Sequence, residues 1–81
     1  MSVLYGYTLN GVGMSELRKV GDNYVFQINE WSYMLMPVAG GLRVFFKTNA
    51  EQTKWAPGRF LMASSENMQK VAENYYDSFA T

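Results

Sequence analysis

The side chains best able to do chemistry are missing from this sequence. It contains no histidine and no cysteine. Without histidine there is no general base poised near neutral pH, no imidazole ligand for a metal and no Ser–His–Asp arrangement. Without cysteine there is no thiol nucleophile, no thiolate zinc site and no disulfide framework. Asp and Glu together number seven and are scattered. Only Glu73 and Asp77 have a spacing that places two carboxylates one helical turn apart. Such a pair can hold a metal ion, but on the polar side of a surface helix it is more simply solvated charge. Gly11-Val12-Gly13 lacks the third glycine and the following helix of a phosphate-binding loop. Gly40-Gly41 reads as a hairpin turn. No catalytic set, metal ligand set or cofactor site is expected, and the chain is not expected to be an enzyme.

The remaining chemistry is that of surfaces. Arg43, Lys47, Lys54 and Arg59 share one stretch with only Glu51 against them, and Phe45 and Trp55 lie among them. Cations interleaved with aromatic rings on a sheet can stack unpaired bases, and Arg43, Phe45, Lys47, Trp55 and Arg59 would then make the contacts. Two features oppose this. Seven basic residues are balanced by seven acidic ones, whereas nucleic-acid affinity is mostly phosphate neutralisation. The run Arg43-Val44-Phe45-Phe46-Lys47 also lacks the glycines of the RRM signature.

The elements that would position these residues follow from periodicity. The clearest is an amphipathic helix over 64–79. Met68, Val71, Ala72, Tyr75, Tyr76 and Phe79 recur at helical spacing within an arc of about 140°. Glu66, Gln69, Lys70, Glu73 and Asp77 fall opposite. Ser64 or Ser65 is the expected N-cap, with Glu66 in the first turn facing the positive end of the dipole. Asp77 places negative charge at the wrong end, which predicts fraying of the last turn. An isolated helix of this length is marginal in water, so its aromatic face needs a surface to cover.

Period-two alternation supplies that surface. Residues 2–9 alternate up to the Asn10-Gly11 turn signal. Residues 16–20 and 24–29 form a hairpin about Gly21-Asp22-Asn23, although Met14, Leu17 and Val20 also permit a short helix. Residues 31–36 and 42–47 form a second hairpin about Gly40-Gly41, with Pro37 at a strand end or an edge. Asn49 is read as the cap of a short helix reaching Trp55, with Gln52 completing a capping box. Residues 59–63 make a last short strand. Tight turns favour antiparallel pairing. The expected fold is α+β, an antiparallel sheet of about five strands packed against the C-terminal amphipathic helix, in one compact domain over 1–81.

At 81 residues, 48% of them hydrophobic and 16% aromatic, the chain can bury a real core. It begins at Met1 without a tag or pro-segment, which reads as a complete small gene product. No apolar run is long enough to cross a membrane, no signal-peptide pattern is present, and a small fold without disulfides fits the cytoplasm.

If the helix covers one sheet face, the other carries Met34 and Met36 on one strand and Arg43, Phe45 and Lys47 on its hairpin partner. Methionine and phenylalanine beside cations resemble the composition of partner-binding patches. An internal second layer, a homodimer seam or a foreign partner would each cover it. The reading reached from sequence is a non-catalytic protein-binding module. Its size and missing chemistry fit a small phage or mobile-element accessory protein that inhibits or modulates a larger protein, with single-stranded nucleic-acid binding as the alternative.

Overall fold

The computed structural model describes residues 2–5 as backbone and residues 13–80 in full. Its strands are β1 (Ser2–Tyr5), β2 (Leu17–Val20), β3 (Asn23–Ile28), β4 (Trp31–Val38), β5 (Gly41–Thr48) and β6 (Ala56–Met62). The helix α1 (Met68–Asp77) follows and tightens into a 3₁₀ turn at Ser78–Ala80. The strands form one six-stranded antiparallel sheet in the order β1-β2-β3-β4-β5-β6, each pairing with the one just before it in the chain. The α+β architecture expected from the sequence is therefore present. The Asn10-Gly11 turn and the expected strand beyond Tyr5 lie outside the described residues.

Three tight turns set the register. Gly21 and Gly40 adopt positive φ, at 62° and 82°, between β2 and β3 and between β4 and β5. A side chain in that region costs about 1 kcal/mol or more, which is why glycine serves there. Between β3 and β4 the same role falls to Asn29, with φ of 52°. Asn29 also fastens the chain ahead of β2. Its side-chain oxygen accepts from the Gly13 amide at 2.9 Å, and its own amide donates to the Gly13 carbonyl at 2.7 Å. Residues 17–20 are strand, so the hairpin prevails over the alternative short helix.

Pro37 lies inside β4, paired with Leu42 of β5. Pairing between β3 and β4 ends at Tyr24 with Leu35, so Pro37 sits where β4 has a partner on one side only. A residue without an amide hydrogen is tolerated at such a place.

All six helix positions picked out by spacing meet the sheet. Ala72 and Tyr76 are fully buried, and Met68, Val71, Tyr75 and Phe79 pack against the same core. From the sheet come Leu17, Tyr24, Phe26, Leu35, Leu42 and Val44. Burying each of these large side chains contributes about 1.5–3 kcal/mol relative to exposure. Phe26 is the centre of an aromatic cluster. Its ring stacks on Tyr33 at 5.2 Å, takes Tyr76 edge-on at 5.0 Å and meets Phe79 at 5.8 Å. Offset and edge-to-face rings of this kind add to the area term. The Tyr76 hydroxyl donates to the Ser15 carbonyl at 2.5 Å, tying the helix to the chain ahead of β2.

The ends of the helix differ from the sequence reading. It starts at Met68 with Asn67 in the cap position, and no side chain caps it. The Asn67 side-chain oxygen instead turns back to accept from the Ser64 amide and hydroxyl, at 2.8 and 3.1 Å. Ser64 is consumed by that turn, and Glu66 lies before the helix rather than in its first turn. At the other end α1 runs on into the 3₁₀ turn. Ser78 donates its hydroxyl to the Tyr75 carbonyl, and Phe79 lies 5.1 Å from Tyr33 and 5.3 Å from Tyr75. Aromatic packing there outweighs the few tenths of a kcal/mol set by unfavourable dipole charge.

The short helix expected over 49–55 does not form. Asn49 accepts from the Ser32 hydroxyl at 2.5 Å, and its side-chain amide donates to the Asn29 carbonyl at 3.1 Å. Its backbone amide bonds the Glu30 carbonyl at 2.8 Å. A side chain so engaged with the neighbouring turn cannot also cap a helix.

Candidate functional site

The sheet has two faces, and antiparallel register says which residues share each. Tyr24, Phe26, Leu35 and Val44 point to the helix. Their chain neighbours therefore point away, and these fall into rows across the strands. One row runs Arg18, Val25, Met34, Phe45 and Pro57. A second runs Met36, Arg43 and Phe60, and a third runs Val38, Gly41 and Met62. On the other side of the first row lie Gln27, Ser32 and Lys47. All five residues expected to bind a partner, Met34, Met36, Arg43, Phe45 and Lys47, stand together on this far face. Each is half-buried. Among the described residues, no helix or second sheet covers them.

The cations are held by their surroundings. Arg43 donates from Nη1 to the Gly58 carbonyl at 3.2 Å, and its guanidinium lies 5.4 Å from the centre of the Phe60 ring. Lys47 donates to the Glu51 carbonyl at 2.7 Å, and its Nζ lies 5.0 Å from the centre of the Trp55 ring. Neutral carbonyls and rings hold both groups in position, with the Glu51 carboxylate near enough to Lys47 to feel its charge. Cation–π contacts of this sort are worth about 0.5–1 kcal/mol where exposed. The loop after β5 thus folds back over Lys47 at one end of the far face.

Glu51 organises that loop. Its carboxylate accepts from the amides of Thr53 and Lys54, each at 3.2 Å. Those amides, helped by the nearby Lys47 charge, hold the Glu51 carboxyl below its ordinary value of 4.5. A depressed carboxyl stabilises the fold above its unfolded value, and the contribution is lost as pH falls through the folded value. The loop is therefore expected to loosen on acidification below about pH 4.5. Amide NMR shifts of residues 47–55, followed from pH 6 to pH 3, check this; Glu51→Gln should abolish the pH-dependent change at Thr53 and Lys54, and its persistence would refute the assignment.

The five residues expected to meet nucleic acid do not all come together. Arg43, Phe45, Lys47 and Trp55 share the far face, but Arg59 lies on the helix side. Burial raises the Tyr75 phenol above its ordinary value, Tyr33 adds to the rise, and the Arg59 charge opposes it. That places Arg59 beside the helix.

Sequence reading missed several members of the far face. Val25 and Arg18 follow from the Gly21 turn register, which aligns them with Met34. Phe60, 38% exposed, and Met62, 83% exposed, extend the apolar surface to the edge strand. Their period-two signal was available, but a bulge opposite Val44 breaks the count, because β5 advances from Arg43 to Phe45 while β6 passes from Phe60 to Pro57. The bulge gives Gly58 its place: a Cβ there would crowd the Val44 carbonyl at 3.2 Å and the Phe46 ring at 3.3 Å.

A shallow groove of about 300 Å³ crosses part of this face, from Arg18 on β2 to Lys47 and Trp55, with Val25, Gln27 and Ser32 between. Among the described residues no group of three or more His, Cys, Asp or Glu side chains could hold a metal ion, and no helix is long and apolar enough to cross a membrane. Comparison with models of protein families, with curated proteins and with solved structures yields no match to this chain.

Proposed function

We propose that this protein is a non-catalytic binding module that docks the far face of its sheet onto a larger protein and thereby inhibits or modulates it. The carrying observation is the row Val25, Met34, Phe45 and Pro57, flanked by Met36, Phe60 and Met62. An apolar band continuous over strands β3 to β6, with no described element over it, is the kind of surface that partners cover. Fixed cations at Arg43 and Lys47 supply orientation rather than bulk attraction. Protein binding is favoured over nucleic-acid stacking by two points. Arg59 is turned to the opposite side, and the Phe60 and Trp55 rings already carry Arg43 and Lys47.

The test is an affinity capture from the source cell with three bead-bound chains. Wild type is expected to retain a stoichiometric protein. Phe45→Asp and Met62→Asp are expected to lose it by about 30-fold or more, the scale of a central interface residue. Melting midpoints are measured beside the captures, because Phe45 is half-buried. Met62 is 83% exposed, so its variant should melt with wild type. Equal capture by all three chains would refute the docking face.

A further inference from the structure

The charge on the sheet is one-sided, and this specifies the chemistry of what binds. Every charged residue on strands β2 to β6 is a cation: Arg18, Lys19, Arg43, Lys47 and Arg59. The carboxylates all lie off these strands, in turns, loops and the helix: Glu16, Asp22, Glu30, Glu51, Glu66, Glu73 and Asp77. On the far face the register brings Arg18, Arg43 and Lys47 around the apolar row. Of these three, among the described residues, Arg18 alone has a carboxylate within ion-pair distance, Glu16 at 3.8 Å, and the two side chains of that pair are about half exposed. The Glu51 carboxylate is hydrogen-bonded by the amides of Thr53 and Lys54 and lies near Lys47 without pairing with it, so Arg43 is the cation of the three with no carboxylate acting on it among the described residues. Arg43 uses one nitrogen on a carbonyl and rests on Phe60, which leaves the rest of its planar donor fork available between Met36 and Phe45.

We infer that the far face receives an acidic, apolar peptide segment of its partner, whose carboxylates pair with Arg43 and with the Arg18–Lys47 groove while its apolar side chains lie on Met34, Phe45 and Met36. This rests on the docking reading above and adds the partner's chemistry to it. Charge complementarity carries it: an Arg preorganised on a ring and ringed by apolar side chains rewards a carboxylate and rejects a second cation. The groove also has a cation at each end, Arg18 and Lys47, with Val25 between them beside the polar Gln27 and Ser32. Face and groove are continuous, since Val25 and Met34 are neighbours in one row.

The test selects binders of the full chain from a displayed library of random twelve-residue peptides, so the partner need not be identified first. Expected is recovery of peptides enriched in Asp and Glu together with Leu, Phe or Trp and depleted in Lys and Arg. Their affinity for Arg43→Glu should fall by about tenfold or more, and should also fall between 50 and 500 mM salt. Phe45→Asp should bind none of them. The inference is overturned if the recovered peptides show no acidic bias, or if Arg43→Glu retains it. Peptides without acidic bias that Phe45→Asp fails to bind would still support the docking face, so the two readings fail separately. Recovery of no peptide would sink the inference. So would retention of a twelve-nucleotide oligothymidine dependent on Arg43, or self-association abolished by Phe45→Asp, which would put nucleic acid or a second copy on this face.

Discussion

Tyr76→Ala is expected to cost about 4–8 kcal/mol and to leave much of the chain unfolded at room temperature. The side chain is fully buried, its ring meets Phe26 edge-on at 5.0 Å, and its hydroxyl holds the Ser15 carbonyl. Truncating a buried aromatic typically costs about 3–5 kcal/mol. Stranding the Ser15 carbonyl adds about 1–3 kcal/mol if water cannot reach it. A domain of 81 residues has about 4–12 kcal/mol of stability in all. One side chain therefore stands between the fold and its loss. Tyr76→Phe separates the two contributions, since it keeps the ring and loses only the hydrogen bond to Ser15, at about 1–3 kcal/mol. Urea unfolding followed by far-ultraviolet circular dichroism reads both. A Tyr76→Ala midpoint close to that of Tyr76→Phe would show that the ring contributes little and that the helix is not the cover of the core.

Gly41→Ala is the second large effect, and its cause is backbone rather than side chain. Gly41 opens β5 and pairs with Met62. A Cβ at this glycine would collide with the Leu61 carbonyl oxygen and lie 2.8 Å from the end of the Phe60 ring. The ring can swing away, but the carbonyl belongs to the β6 backbone and cannot move without parting the two strands. Overpacking costs about 1–3 kcal/mol where side chains can yield, and a rigid backbone neighbour places this site at or above the top of that range. The double variant Gly41→Ala, Phe60→Ala is informative, because removing the ring should restore almost nothing. Gly21→Ala is the contrast. Its φ is 62° but no atom lies within reach of an added methyl, so only the backbone term of about 1 kcal/mol remains. Thermal melts of wild type and the three variants check the order. Recovery of most of the stability on removing Phe60 would show that the ring, not the carbonyl, sets the limit.

What was legible in the sequence was what repeats. The helix stripe from Met68 to Phe79 and the alternation in residues 24–28, 31–36 and 42–47 reflect burial of one face, and burial selects residue type at every turn or every second position. The far-face residues were found for the same reason, since they are the complement of the buried set. What was not legible depended on single polar side chains with more than one possible partner. Asn49 bonds Ser32 and the Asn29 carbonyl in place of capping a helix, and Asn67 serves Ser64 in place of the helix amides. Local spacing allows both outcomes, and only the approach of distant chain decides between them. Arg59 was lost to the β6 bulge, because one added residue reverses the face of every position beyond it.

Strand order matching chain order also has a consequence during synthesis on the ribosome. Each strand finds its neighbour as soon as it emerges, so the sheet can assemble progressively from nearby contacts, which favours quick folding. The helix comes after every strand. Until residues 68–79 are made, Leu17, Phe26, Leu35 and Val44 lack the helix that packs over them. At the usual pace of about 5–20 residues per second, the stretch from Met62 to Phe79 keeps that surface bare for about one to three seconds. A nascent chain in that interval is a natural client for a holding chaperone, and a product stopped before Met68 would expose the same apolar surface permanently.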